Sequence, residues 1–160
     1  MKKCIVESQY TIYSHEELNV AHSELIKKAK EQVQKAYAPY SGFHVGAAAL
    51  LANGEIFAAS NQENAAYPSG LCAERVCLFY ANAQYPDVAV VSLAIVAYTN
   101  GEFLKTPIFP CGACRQVLLE TQSRSKTPLE VLMCGEEAIF VVDNVWQLVP
   151  FSFDKSSLNS

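Results

Sequence analysis

The chain has 160 residues, 51% of them apolar and 18% charged, with a formal net charge of −4. That length suits one domain able to bury a core, and the composition excludes a disordered polymer. An acidic balance with no Lys/Arg cluster argues against RNA or DNA as a ligand, because binding a polyanion rests on neutralising its phosphates.

Met1 to Ser8 carries two lysines with no apolar run behind them, so no signal peptide is expected. The apolar stretches Val45 to Ala52 and Val88 to Ala97 are too short to span a bilayer, and a cytoplasmic protein is expected. Residues 1–15 read as an N-terminal extension of a single domain over 1–160. Ser14-His15-Glu16-Glu17 fits a capping box. After it Leu18, Ala21, Leu25, Ala29, Val33, Ala36 and Tyr37 recur at helical spacing, which predicts a helix to about Tyr37, stopped by Pro39. Phe43 to Ala52 is strand-like, Asn53-Gly54 is a strong hairpin signal, and Glu55 to Ser60 returns as a second strand.

Asn61 to Leu71 reads as an irregular loop with Pro68 and Gly70. Cys72 to about Ala83 suits a buried helix closed by Tyr85-Pro86-Asp87. Val88 to Ala97 is a continuous β-branched apolar run, the mark of a central strand buried on both faces. A loop then leads to Pro110, a helix runs from Cys111 to about Thr121, and strands are expected over Leu129 to Met133 and Ala138 to Val142. A short helix near Asp143 to Leu148 and an irregular tail finish the chain. The order α-β-β-α-β-α-β-β predicts an α/β fold, a three-layer α/β/α sandwich around a five-stranded mixed sheet. The two helical crossovers make the middle strands parallel. Only Cys134-Gly135-Glu136-Glu137 joins the last two strands, too short for a parallel return, so they are expected to be antiparallel.

Six cysteines in a chain without a secretion signal read as metal ligands or free thiols. Cys77 is off the direction of Cys72 on its helix and reads as core, Cys134 ends a strand, and Cys4 lies in a loose arm. The others stand in Cys72-Ala73-Glu74 and Pro110-Cys111-Gly112-Ala113-Cys114. Three thiolates with a nearby carboxylate match a catalytic zinc site, which uses three protein ligands and keeps a fourth position for water. A closed structural zinc knot with a fourth ligand elsewhere, or two unrelated thiol pairs, would use the same cysteines. Both motifs fall at helix starts, where exposed N–H groups and the positive dipole end lower a thiolate pKa. Three thiolates and one Zn²⁺ carry a net −1, which Arg75 and Arg115 could offset by donating to the sulfurs. Zinc lowers the pKa of a bound water to about 7, and Glu74 is the candidate proton shuttle.

The chain resembles the small cytidine deaminases that act on free nucleosides. The resemblance rests on Tyr37-Ala38-Pro39-Tyr40-Ser41-Gly42-Phe43-His44-Val45-Gly46-Ala47, on Asn61-Gln62-Glu63-Asn64-Ala65-Ala66-Tyr67, on Cys72-Ala73-Glu74-Arg75 and on Pro110-Cys111-Gly112-Ala113-Cys114-Arg115-Gln116, with Leu148-Val149-Pro150 and Phe153 after them. It implies a cytidine-deaminase-like fold and one zinc per chain on Cys72, Cys111 and Cys114, with Arg75 tuning the charge of the centre. It implies that Glu74 carries protons to pyrimidine N3 and to the leaving amine. Asn61 and Glu63 would bind the ribose 3′-hydroxyl, Phe43 and Val45 would pack on the pyrimidine, and the Ala73 N–H would reach its O2. Tyr67 and Phe153, with Phe151 as a rival for the latter, would contact a nucleoside in a neighbouring subunit of a homotetramer.

The implied reaction is hydrolytic deamination of cytidine and deoxycytidine with release of ammonia, a pyrimidine-salvage step. Rivals are a deaminase of a polynucleotide base, one acting on a blasticidin-type compound, and a non-catalytic zinc scaffold. The polynucleotide enzymes run their last two strands parallel, those acting on blasticidin lack the Asn-x-Glu pair, and a scaffold would leave Glu74 idle.

Overall fold

The structure is a computed structural model and describes residues 1–158. The last two residues of the expected 1–160 domain lie outside the described residues. Its strands are β1 (Thr11–Tyr13), β2 (His44–Leu51), β3 (Ile56–Ser60), β4 (Val90–Thr99), β5 (Glu102–Phe103), β6 (Glu130–Cys134) and β7 (Ile139–Val142). Its helices are α1 (Val20–Gln32), α2 (Ala73–Gln84) and α3 (Gly112–Ser125). The strands form one sheet in the order β1-β7-β6-β4-β2-β3, with β5 pairing on β4.

The five expected strands are present to within a residue or two, but the sheet has seven. β1 lies inside the segment expected to be a loose extension, where Thr11, Ile12 and Tyr13 pair antiparallel with Val141, Phe140 and Ile139. β5 folds back on β4 through Asn100-Gly101, whose φ angles are 54° and 89°. A two-residue hairpin turn of type I′ needs positive φ at both central positions, and Asn-Gly supplies it.

The first helix also differs. Ser14 and Glu17 do cap, with the Ser14 N–H donating to Glu17 Oε2 at 2.8 Å, but they close a single 3₁₀ turn, His15–Glu17. Leu18 is then extended, and Asn19 Oδ1 accepts the His22 N–H at 2.8 Å to start α1. Two capping signals stand five residues apart, and the second prevails because Leu25, Ile26, Ala29 and Val33 behind it bury against the sheet. The helix ends at Gln32, followed by a 3₁₀ turn at Val33–Lys35. The last expected helix is likewise a 3₁₀ turn, Val145–Leu148.

Strand directions follow from the connections. β2 is antiparallel to both β3 and β4, so β3 and β4 share a direction across the α2 crossover. β4 and β6 are parallel neighbours joined through α3, and β6 and β7 are antiparallel. Alternation along the strands feeds two cores. Val45, Ala47, Leu93 and Ile95 pack with Cys77, Leu78, Leu118 and Leu119 of α2 and α3, whereas Ala48, Ala94, Val96 and Leu132 pack with Leu25, Ile26 and Ala29 of α1. Among the described residues, no helix is long and apolar enough to cross a membrane.

The far end of α3 is anchored by Gln122, which is buried. Its Oε1 accepts from Leu129 N at 2.9 Å and Val145 N at 3.1 Å, and its Nε2 donates to Asn144 Oδ1 at 2.9 Å. One side chain thus ties α3, the start of β6 and the Val145–Leu148 turn. Gln122→Leu removes the acceptor and leaves buried N–H groups unpaired, which costs about 1–3 kcal/mol for each such group. Urea unfolding of the two proteins should show a loss of at least that size.

Candidate active site

α2 and α3 share one face of the sheet, and their N-termini meet. Cys72 is the N-cap residue of α2 and Cys111 that of α3, while Cys114 follows within the first turn of α3. Neither cysteine side chain caps its own helix, so both thiols remain for one another. Cys72 Sγ lies 3.9 Å from Cys111 Sγ, which lies 3.4 Å from Cys114 Sγ, and all three sulfurs fall within 4.8 Å of one another. Cys114 is fully buried and Cys111 exposed, so the cluster opens to solvent on one side.

A tetrahedral ion with Zn–S bonds of 2.3 Å sets its sulfurs about 3.8 Å apart, and the two measured separations straddle that value. The electrostatics also fit a cation. A hydrogen bond with Cys114, followed by those from Arg75 and Cys111, brings the Cys72 thiol down to about 5 despite its burial. The bond with Cys72, then burial and the charge on Glu74, push Cys114 the opposite way, since a second thiolate beside the first is repelled. Arg75 Nη2 donates to Cys72 Sγ at 3.9 Å, and its buried Nε has no protein partner. Arg115 does not join it. Its Nε donates to Pro110 O at 2.9 Å and its Nη1 to Leu148 O at 3.1 Å, so it braces the entry to α3 and offsets no sulfur charge.

Glu74 lies in the first turn of α2, 4% exposed. Burial raises its carboxyl pKa, opposed by its own backbone N–H and reinforced by the charge on Cys72. A buried carboxyl whose pKa is raised beside a cluster of thiols is the kind of group that can serve as a proton donor or acceptor. The spare thiols have no such setting. Cys77 and Cys134 are buried and pushed up to about 12 by desolvation, and Cys4 is exposed.

Next to the cluster is a cleft of about 500 Å³ whose lining includes Tyr40, Asn61, Glu63, Tyr67, Cys72 and Arg75. Its wall is the extended strip Asn61-Gln62-Glu63. Gln62 bridges Leu71 on one side, and Tyr37 bonds to Asn61 O and Glu63 N on the other. Asn61 Oδ1 accepts Val45 N at 2.8 Å and its Nδ2 donates to Phe43 O at 2.9 Å, which fixes the amide against the start of β2. Glu63 Oε2 accepts Tyr40 N at 2.9 Å and Ser41 N at 3.3 Å, and its Oε1 accepts Ser41 Oγ at 2.5 Å. These bonds, that of Ser41 Oγ first, hold its carboxyl below the usual range.

Phe43 and Val45 pack at the core beneath α2 and α3, which Ala73 of α2 joins, and none of the three lines the cleft, although Asn61 links the first two to it. Phe153 is exposed and is not a cleft-lining residue, its carbonyl accepting from Gln116 Nε2 of α3 at 2.8 Å, and Phe151 is more exposed still. Tyr67 is exposed and meets Tyr40 edge-on, ring centroids 6.3 Å apart. Sequence reading assigned no role to Tyr40 or Ser41. Both stand in the Tyr37 to Ala47 motif, but local sequence carries no sign of their bonding to a residue more than twenty positions away.

Residues 19–128 match the family profile described as the cytidine and deoxycytidylate deaminase zinc-binding region. A cytidine deaminase of Sporosarcina psychrophila is 38% identical over 136 residues, covering 85% of this chain and 93% of its own. One from Halalkalibacterium halodurans is 47% identical over 96 residues, covering 60% of this chain and 68% of that protein. The crystal structure of cytidine deaminase from Burkholderia pseudomallei superposes with a TM-score of 0.71 at 41% identity, covering 82% of this chain and 98% of that one.

The sulfur cluster predicts one zinc per chain. Elemental analysis should find that content in the parent and a loss toward zero in Cys111→Ser and Cys114→Ser. Cys77→Ala, which removes a thiol outside the cluster, should keep it.

Proposed function

Because the chain belongs to the cytidine and deoxycytidylate deaminase family, we propose that it hydrolyses cytidine and deoxycytidine to uridine and deoxyuridine with release of ammonia, using one zinc ion. The observation that carries this reading is the meeting of two helix starts that gathers three thiols beside the buried Glu74. Bound zinc supplies Lewis acidity, bringing the pKa of a ligated water to about 7.

The residues divide the remaining work. Cys72, Cys111 and Cys114 hold the ion, and Arg75, already bonded to Cys72, offsets the excess negative charge of three thiolates. Glu74 takes a proton at its carboxylate, passes protons to pyrimidine N3, and delivers one to the amine that leaves. The water oxygen bonds to C4 as one water proton goes to N3; the C4–N4 bond then breaks as the second proton goes to the amine, leaving a C4 carbonyl and free ammonia, so the atoms balance. The Ala73 N–H, in the first turn of α2 where helix donors lack intrahelical partners, is directed to the pyrimidine O2. Phe43 and Val45, set behind the cleft surface and bonded to its wall through Asn61, would back the pyrimidine ring from beneath.

Asn61 and Glu63 hold the ribose 3′-hydroxyl as donor and acceptor. A carboxamide has two N–H donors, and the Phe43 carbonyl takes one, which leaves the second for the sugar. Ser41 and the Tyr40 N–H keep Glu63 ionised and oriented as the acceptor. This pair, with the antiparallel β6 and β7, supports a free nucleoside as substrate over a polynucleotide or a blasticidin-type compound.

The finer reading is a three-layer α/β/α sandwich in a single domain over 1–160, supported by the separate cores under α1 and under α2 with α3. We place the protein in the cytoplasm, in pyrimidine salvage. Exposed aromatics, Tyr67 at the cleft and Phe153 on the C-terminal tail, support a homotetramer in which such residues complete a neighbouring subunit's site. Sedimentation of the active protein tests that assembly.

Glu74→Gln keeps size but cannot take the proton, so kcat should fall by about 10²–10⁴-fold with zinc content unchanged. Near-parent turnover in a zinc-replete variant, read by loss of cytidine absorbance, would remove Glu74 from the mechanism.

A site built around one hydroxyl leaves buried polar groups unpaired when that hydroxyl is missing, which can discriminate by about 10⁴–10⁵-fold. Values of kcat/KM for free cytosine and 3′-deoxycytidine should therefore be far below that for cytidine. Deoxycytidine, which keeps the 3′-hydroxyl, should stay close to it.

A further inference from the structure

The family match begins at residue 19, and the segment ahead of it takes no part in the chemistry above. It nevertheless contacts the protein by three separate routes that lead to one place. Tyr10 stacks on Phe140 with centroids 5.0 Å apart and planes at 24°, and Phe140 packs at 6.0 Å against Phe109, which precedes Pro110 and Cys111. His15 Nε2–H donates to Gly135 O at 3.0 Å. Gly135 in turn lies so close to the backbone of 105–107 that a Cβ would stand 2.3 Å from the Lys105 carbonyl oxygen. The following N–H groups of Glu136 and Glu137 donate to Leu104 O and Lys105 O at 2.9 and 3.0 Å. Thirdly, Gln9 N donates at 2.8 Å to Gln147 Oε1 in the Val145–Leu148 turn, and Arg115 joins Leu148 O to Pro110 O.

Each route ends on residues 104–110, the irregular stretch that delivers Cys111. None of them ends on α2 or on the Asn61-Gln62-Glu63 wall. A loop without regular structure takes its rigidity from contacts outside itself. β1 supplies a fixed base for these, since its ladder to β7 sets Tyr10 on the same face as Phe140.

We infer that the segment from Gln9 to His15 is a positioning element for the Cys111 half of the metal centre, holding the entry to α3 so that the ion is released slowly. The inference rests on the reading of Cys72, Cys111 and Cys114 as zinc ligands. Outer-shell partners of metal ligands typically account for about 10–100-fold in affinity, and a brace acting through the loop belongs near the lower end.

Zinc content of the full chain tests the ligand reading by itself, before any variant is made. The rate of zinc transfer to a chromogenic chelator then tests the brace, alongside KM for cytidine and the urea midpoint of the metal-free protein. Tyr10→Ala combined with His15→Ala should release zinc about 10-fold faster with KM and the metal-free midpoint unchanged. Tyr10→Phe keeps the ring and His15→Gln keeps a donor, so each should release zinc at the parent rate. A parent-like rate in the double variant would overturn the inference. So would faster release accompanied by an equivalent fall in the metal-free midpoint, which would mark the segment as general stabilisation only.

Discussion

Three sulfurs within 4.8 Å of one another cannot all ionise without a cation between them, and the architecture at this end of the sheet answers that constraint. The opposed shifts of Cys72 and Cys114 express it directly: the first thiolate is welcomed by neighbouring S–H groups and Arg75, and the next is repelled. Two helix N-termini aim their free N–H groups and positive dipole ends at the same point, which favours anions there. That convergence requires α2 and α3 to lie on one sheet face, and the larger apolar core beneath them keeps them there. Glu74 is a consequence of the same placement. One helical position from the Cys72–Ala73 start, it is buried against the cluster, and burial gives its carboxyl a raised affinity for protons.

The cleft beside the sulfur cluster is built by a different device. Its polar residues sit on a strip too short to be a strand of the main sheet, so backbone bridges to Tyr37 and Leu71 and side-chain bonds to β2 replace the sheet. The side chains of Asn61 and Glu63 are therefore fixed by bonds within the protein alone. The Tyr40-Ser41 turn fixes the Glu63 carboxylate with three hydrogen bonds, and ionisation of that group is stabilised by the same bonds. Little reorganisation remains to be done on binding, which is how a site of few polar groups becomes selective.

Two arginines close in sequence to metal ligands behave differently because of what faces them. Arg75 follows Glu74 on α2 and meets Cys72 Sγ, whereas Arg115 follows Cys114 on α3 and turns away to two backbone carbonyls. The first donates to a sulfur of the cluster and the second braces the entry to α3. Adjacency to a ligand did not distinguish them. The side-chain direction set by each helix did.

The sequence by itself carried the five main strands, the helices at Cys72 and Cys111, and the gathering of Cys72, Cys111, Cys114 and Glu74, because short-range signals encode all of these. Apolar alternation, capping positions and ligand spacing act over a few residues, and the four-residue link after Cys134 fixed the antiparallel β6–β7 pair by length alone. The second hairpin was also written locally, in Asn100-Gly101, the same dipeptide that marked Asn53-Gly54. β1 was not: three residues pair with a strand well over a hundred positions away, and long-range contacts, among them the packing of Tyr13 against that edge and the stacking of Tyr10 on Phe140, select it. The break of the first helix at Leu18 belongs to the same class, since two caps compete and packing on the sheet chooses between them. Residue types and spacing thus determined the chemistry. The tertiary structure decided which side chains hold that chemistry in place, because those bonds join segments whose separation in sequence says nothing of their separation in space.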